Sequence, residues 1–254
     1  MSGGSPQLVG PEAEAPPTPD TSLAESEHLM THREVLLAMS GLMLGMFVAI
    51  LSSTVVSAAL PKIVHDLDGG QASYTWVVTS TLLALTISTP IWGKLADLFD
   101  RKLLVQIGLT IYVLGSVLAG LSQSMTWLIG CRVFQGLGVG GLTALVQVIL
   151  SDLVSPRERG RYAGYLGAVF GAGTVIGPLL GGVITDALGW RWCFFVGVPF
   201  GAAALVLLQM KLHLPTKLRN RRPRIDWLGA LLLAGGASLP LIWVSQAGQA
   251  YAWL

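Results

Sequence analysis

Charged side chains are scarce in this sequence of 254 residues: Asp, Glu, Lys and Arg together make up 12%. A water-soluble domain carries roughly 25%, because its surface must be wetted. Cysteine occurs twice, at Cys131 and Cys193, both inside apolar stretches, so neither a disulfide framework nor a zinc cluster is on offer. The four histidines, His28, His32, His65 and His213, fall outside the apolar stretches, and no close pair of carboxylates lies within them. Acid–base, metal and phosphate-transfer chemistry therefore have no residues to work with, and no enzyme, cofactor or metal is expected. A net charge of +2 gives no basic face for nucleic acid. What is plentiful is apolar surface, at 52% of residues, and glycine, at 31 residues without the collagen period. Membrane helices tolerate that much glycine and use it for close packing. The composition describes an integral membrane protein in contact with the lipid bilayer.

Residues 1–34 are of a different kind. They hold Pro6, Pro11, Pro16, Pro17 and Pro19 with six acids and one basic residue, Arg33, which reads as a disordered cytoplasmic tail. From Val35 onward, uncharged stretches alternate with short polar ones: Val35–Leu60, Tyr74–Trp92, Leu103–Leu121, Met125–Leu150, Tyr162–Thr185, Trp192–Met210 and Trp227–Ser245. Each has the ~20 residues a helix needs to cross a ~30 Å hydrocarbon core. Within them the one charged side chain is Arg132. The domain reading is a six-helix bundle over 35–210, a basic loop at 211–226, and a seventh membrane helix with its outer end over 227–254. The eight tryptophans fall at or near span ends, where an amphipathic ring prefers the headgroup layer. Of the 16 Lys and Arg residues, 13 lie on one side of this scheme, and only Lys62 and Arg191 on the other. Positive charge stays inside, which places the N-terminus in the cytoplasm and Leu254 outside.

The loop after the second span reads Gly93-Lys-Leu-Ala-Asp97-Leu-Phe-Asp100-Arg101-Lys102. It is a tight turn whose carboxylate can pair with basic residues or with a helix N-terminus. Between spans four and five, on the same side, stands Pro156-Arg157-Glu158-Arg159-Gly160-Arg161; Asp97 is expected to pair with Arg159 or Arg161. In span four, Arg132-Val-Phe-Gln135-Gly136-Leu-Gly138 puts Gln135 on the face of Arg132. An arginine in hydrocarbon costs roughly 2.5–3.5 kcal/mol, so Arg132 is expected to face a cavity or a partner, with snorkelling to the outer headgroups as the alternative. Span five carries Gly173-x-x-x-Gly177-Pro178-x-x-Gly181-Gly182, a smooth glycine face with a residue that permits a kink.

These motifs resemble the major facilitator superfamily. The first resembles its signature Gly-x-Leu-Ala-Asp-basic-x-Gly-basic-basic: Gly93, Leu95, Ala96, Asp97, Arg101 and Lys102 match, while Leu98 and Asp100 depart. The arginine motif is similar to the family's Arg-x-x-Gln-Gly-x-Gly, and the span-five motif resembles the one that marks its antiporters. Leu51-Ser52-Ser53-Thr54-Val55-Val56-Ser57-Ala58-Ala59-Leu60-Pro61 and Trp190–Gly201 resemble motifs of the fourteen-helix drug/proton antiporter branch. That branch favours Asp where this chain has Ser52, and Asn where it has Ser57 and Gly197.

The resemblance implies an all-α membrane fold: an N-terminal six-helix bundle of inverted three-plus-three repeats, plus the seventh helix. An echo of Gly93-x-x-x-Asp97 in Gly182-x-x-x-Asp186, three spans later, suits such inversion. It also implies a multidrug or small-molecule exporter in the plasma membrane, working by alternating access with protons as coupling ion. The implied transport pathway holds Arg132, Gln135, Ser52 and Thr54. The implied conformational switch holds Gly93, Asp97, Arg101, Lys102, Arg159 and Arg161, and the antiporter helix holds Gly173, Gly177, Pro178, Gly181 and Gly182. The faces of Arg132, Gln135 and the glycine ladder are expected to look toward a second bundle. Because the fold uses two bundles, the chain is expected to be an N-terminal half or fragment whose partner is the missing C-terminal half, or else a half-unit that pairs with itself. Ser52 cannot titrate near neutral pH, so any proton site is expected at Asp186 or beyond Leu254. The competing readings are uptake or facilitated transport of another solute in the same superfamily, and a membrane adaptor that transports nothing.

Overall fold

A computed structural model describes residues 32–212 and 227–246. Among them the regular structure is all helix: α1 (His32–Asp66), α2 (Gln71–Leu98), α3 (Arg101–Gly120), α4 (Met125–Leu153), α5 (Arg159–Ala187), α6 (Arg191–Phe195), α7 (Gly197–Lys211) and α8 (Trp227–Gln246). Six segments are long and apolar enough to cross a membrane, with α6 and α7 together forming the sixth. The seventh expected span coincides with α8, whose described apolar core, Gly235–Val244, is shorter.

Helices outrun the uncharged stretches. The first begins at His32, so three residues assigned to the tail are helical, and it runs through Pro61 to Asp66. Uncharged runs mark what lipid tolerates, whereas a helix stops where its backbone stops being capped. Residues 1–31 of the expected tail, 213–226 of the expected loop and 247–254 of the outer end lie outside the described residues. In the sixth span the hydrogen-bond ladder is interrupted next to Val196, although the backbone there stays helical at φ −57° and ψ −36°. Pro199 has no N–H to donate back to the carbonyl of Phe195, and a proline is comfortable only in the first turn of a fresh helix.

Packing follows one pattern used twice. The α4 helix packs on α2 and α3, and α1 packs on α5 and α7, while α3 and α7 touch each other. Exchanging the first three spans for the second three maps each set of contacts onto the other, as an inverted repeat requires. Small residues permit the closest approaches. A Cβ at Gly136 would lie 2.5 Å from the Thr81 carbonyl oxygen, and one at Gly140 would collide with Ser88 Oγ, so α4 meets the backbone of α2 directly. At the symmetric place, a Cβ at Gly177 would collide with Thr54, and one at Gly181 would lie 2.7 Å from the Val55 carbonyl oxygen.

Two tryptophans expected in the headgroup layer are inside the bundle instead. Trp92 is buried on Gly141 and donates through Nε1 to the Leu137 carbonyl at 2.9 Å. Trp190 is buried as well, with its Nε1 donating to Asp66 Oδ2 at 3.1 Å. Each indole finds its polar partner within the protein, which removes the need for an interface. Trp127 and Trp192 remain exposed near span ends.

Candidate functional site

Arg132 sits two turns into α4 and is only 4% exposed, so it does not snorkel. Its Nη1 donates to Gln135 Oε1 at 3.0 Å, and its Nε reaches the Val77 carbonyl of α2 at 3.5 Å. Gln135 passes the connection on: its Nε2 donates to Ser116 Oγ of α3 at 2.8 Å, and Ser116 donates to the Tyr112 carbonyl at 3.0 Å. Tyr112 OH in turn donates to the Val48 carbonyl of α1 at 3.1 Å. One guanidinium, one amide and two hydroxyls thus join α1, α2, α3 and α4 at about the same depth. Burial makes these bonds costly to break, since a stranded polar group cannot fall back on water. Tyr112 and Ser116 were not singled out from sequence. Their spacing of four on α3 is a signal, because it stacks two hydroxyls on one helix face.

Ser52 is buried beside the hydroxyl of Tyr112. Thr54 is half-buried and donates to the Gly173 carbonyl at 3.1 Å, so it ties α1 to α5. The expectation that the arginine and glycine faces lie open toward a second bundle needs correction. Gly173, Gly177 and Gly181 are buried against α1, and Arg132 and Gln135 are buried within the bundle. Residues offset by two on the same helix point the opposite way. Accordingly Val175, Leu179 and Val183 form the outward stripe of α5, each 67–69% exposed. Pro178 and the Asp186 near the helix end are exposed too, and Gly182 is half-buried.

The loops expected to act as a switch gather at one end of the bundle. Asp100, which departs from the family signature, caps α3 by accepting the Leu103 N–H at 3.0 Å. Arg101 forms an ion pair with Asp152 at the end of α4. Lys102 donates to the Gln209 carbonyl at 2.8 Å, where a cation meets the last turn of α7. Arg159 Nη2 donates to the Ser151 carbonyl at 3.1 Å. Gly93 is half-buried with open space beside it, Asp97 is half-buried, and Arg161 is exposed. Asp152 was missed in the sequence because it falls after an apolar run and carries no motif. At the opposite end, Arg191 stacks 4.4 Å from the Trp190 ring and donates to the Ser122 carbonyl, closing α3 against the start of α6.

Six apolar spans, buried polar ties between them and charged loops gathered at one end define a multi-pass membrane protein built as a pseudo-symmetric helix bundle. The family profile of the Major Facilitator Superfamily matches residues 42–254, and the chain belongs to that superfamily of transporters. It is 39% identical over 246 residues to an uncharacterized transporter of this type from Mycobacterium tuberculosis, which covers 97% of this chain and 35% of that protein. Multidrug resistance protein 3 of Bacillus subtilis is 38% identical over 84% of this chain and 41% of its own length. Efflux pump dotC of Dothistroma septosporum is 37% identical over 86% of this chain and 38% of its own. The chain therefore spans well under half the length of these curated relatives.

Among solved structures, the human organic anion transporter MFSD10 superposes with a TM-score of 0.66 at 18% identity, over 80% of this chain and 54% of that one. A bacterial homolog of the human lysosomal transporter Spinster gives 0.62 at 18% identity, over 82% and 50%. At such identity these likenesses concern the fold alone.

Proposed function

We propose that this chain supplies the first bundle of an exporter of small apolar or cationic compounds, driven by the proton gradient and working by alternating access. The supporting observation is the similarity, over 84–86% of the chain, to proteins named for multidrug resistance and for efflux. The bundle is of the kind that rocks against a second one around a central path. In this reading Arg132, Gln135, Ser52 and Thr54 hold α1–α5 in register behind the path and do not grip the substrate. Gly93–Lys102 and Arg157–Arg161 form the switch on the cytoplasmic side of the plasma membrane, where Arg101, Lys102 and Arg159 fasten helix ends together. The α5 stripe of Val175, Leu179 and Val183 is the surface on which the second bundle, the C-terminal half, moves. Residues 35–210 form the bundle, 211–226 the basic cytoplasmic loop, and 227–254 the seventh membrane helix with its outer end.

The experiment is transport by a chimera joining residues 1–254 to the remaining length of the Bacillus relative. Everted vesicles energised by respiration should accumulate a cationic dye and lose it when the pH gradient is collapsed. Dye entry that ignores the gradient would favour facilitated transport, and no dye movement with normal insertion would favour an adaptor. Proton coupling is assigned to Asp186 or to the second bundle. Ser52→Ala should therefore leave the pH dependence of the chimera unchanged, and its loss in that variant alone would contradict the assignment.

A further inference from the structure

The seam between α3 and α7 carries polar groups on a face that otherwise meets lipid. Its middle is closed, since a Cβ at Gly201 would lie 2.6 Å from Val113 Cγ2. Further along α7, about 12 Å nearer the end that gathers the charged loops, stands Gln209. Its carbonyl accepts from Lys102 Nζ at 2.8 Å, and its Oε1 accepts from Gln106 Nε2. Lys102 and Gln106 are one turn apart on α3, so an ammonium and two amides from two helices meet at one point. Apolar side chains flank them on both helices: Leu103 and Ile107 of α3, Val206 and Met210 of α7, each 40–61% exposed.

The charge at this point is uncompensated. Neither α3 nor α7 contains an Asp or Glu, and the Asp100 that caps α3 is held by the Leu103 N–H. Arg101 pairs with Asp152, whereas Lys102 has no carboxylate partner among the described residues. Lys211 adds a second ammonium at the end of α7. Having given one N–H to a carbonyl, the Lys102 ammonium has two to spare, and the Gln209 amide nitrogen donates to none of the described residues. We propose that this seam binds the headgroup of an anionic phospholipid, with the phosphate held by Lys102 and the Gln209 amide. The acyl chains lie along Leu103, Ile107 and Met210. A cation at the membrane surface attracts acidic lipids, and a second, fixed donor makes that attraction local. A free phosphate ion would use the donors but not their apolar flanks.

The test is the lipid preference of the purified full chain, offered equal amounts of phosphatidylglycerol and phosphatidylcholine in detergent. Native mass spectrometry should find phosphatidylglycerol retained in excess. Lys102→Gln should lower that excess about fivefold, the worth of one basic contact at a membrane surface. Gln209→Leu, at an exposed position, should lower it as well. Lys94→Gln removes the same charge from an exposed site at the same end, on α2, and should leave the preference unchanged. Equal retention of the two lipids, or an equal loss in all three variants, would overturn the proposal. Inorganic phosphate in large excess should not displace the lipid, and displacement would give the donors to a soluble anion instead. In the unaltered chain, a photoactivatable phosphatidylglycerol should attach within residues 102–107 or 206–211. Attachment only elsewhere would overturn the site.

Discussion

Arg132 and Gln135 illustrate how much a membrane interior asks of single residues. The guanidinium is buried, and its hydrogen bonds end on an amide and a main-chain carbonyl, so Gln135 is the hinge of the network: it accepts from Arg132 and donates to Ser116. Gln135→Leu keeps the bulk but takes one partner from Arg132 and one from Ser116, leaving them the Val77 and Tyr112 carbonyls. The lost buried bonds should cost about 1–3 kcal/mol in all, read as a lower unfolding midpoint in detergent. Arg132→Lys should be nearly as damaging, because an ammonium on a flexible stem cannot reproduce the forked contacts to Gln135 and Val77. A midpoint unchanged in both variants would refute the network as a stabilising element. At the loop end, Asp100→Ala should cost roughly 1 kcal/mol through the lost cap on α3, and Asp100→Gly only a few tenths. The sequence pointed to Arg132 and Gln135 because a charge and an amide stand out in an apolar run. It did not point to Tyr112, Ser116 or Asp152, since hydroxyls are ordinary in membrane helices and an acid at a helix end looks like solvated surface.

Among the helices, glycine placement decides which faces meet. Gly177 lies against Thr54 and Leu51 of α1, whereas Gly182, one and a half turns on, has open space beside it. Gly177→Ala should therefore force α1 and α5 apart and cost about 1–3 kcal/mol, the usual penalty for overpacking. Gly182→Ala should be tolerated or slightly stabilising, since alanine favours the helix. Comparing folded yield and unfolding midpoint for the two variants checks the assignment, and equal losses would contradict it. The ladder was legible as a close-packing face, but not which helix it packs on, because a glycine period reveals contact without naming the neighbour. The interrupted hydrogen-bond ladder next to Val196 was hidden for a related reason: Gly197 and Pro199 sit in an unbroken apolar run, and hydropathy is blind to a missing N–H.

At the scale of the whole molecule, the span count came from charge-free length, and the two-fold packing of α1 and α4 had one faint trace, the Gly93 and Gly182 echo. Orientation rests on the distribution of Lys and Arg. In a background where the buried Cys131 and Cys193 are replaced, Gln123→Cys should label from outside and Pro156→Cys only from the cytoplasm, both positions being exposed. The reverse pattern would invert the topology. In the proposed mechanism alternating access needs two bundles, and the exposed α5 stripe of Val175, Leu179 and Val183 is the surface offered to the second. The most direct test is flux through liposomes that contain only residues 1–254, purified and reconstituted under an imposed pH gradient. The proposed mechanism predicts no movement of cationic dye or protons above that of empty liposomes, with transport appearing once a second bundle is joined to the chain. Robust dye–proton exchange by the chain alone, abolished by Arg132→Ala, would contradict it.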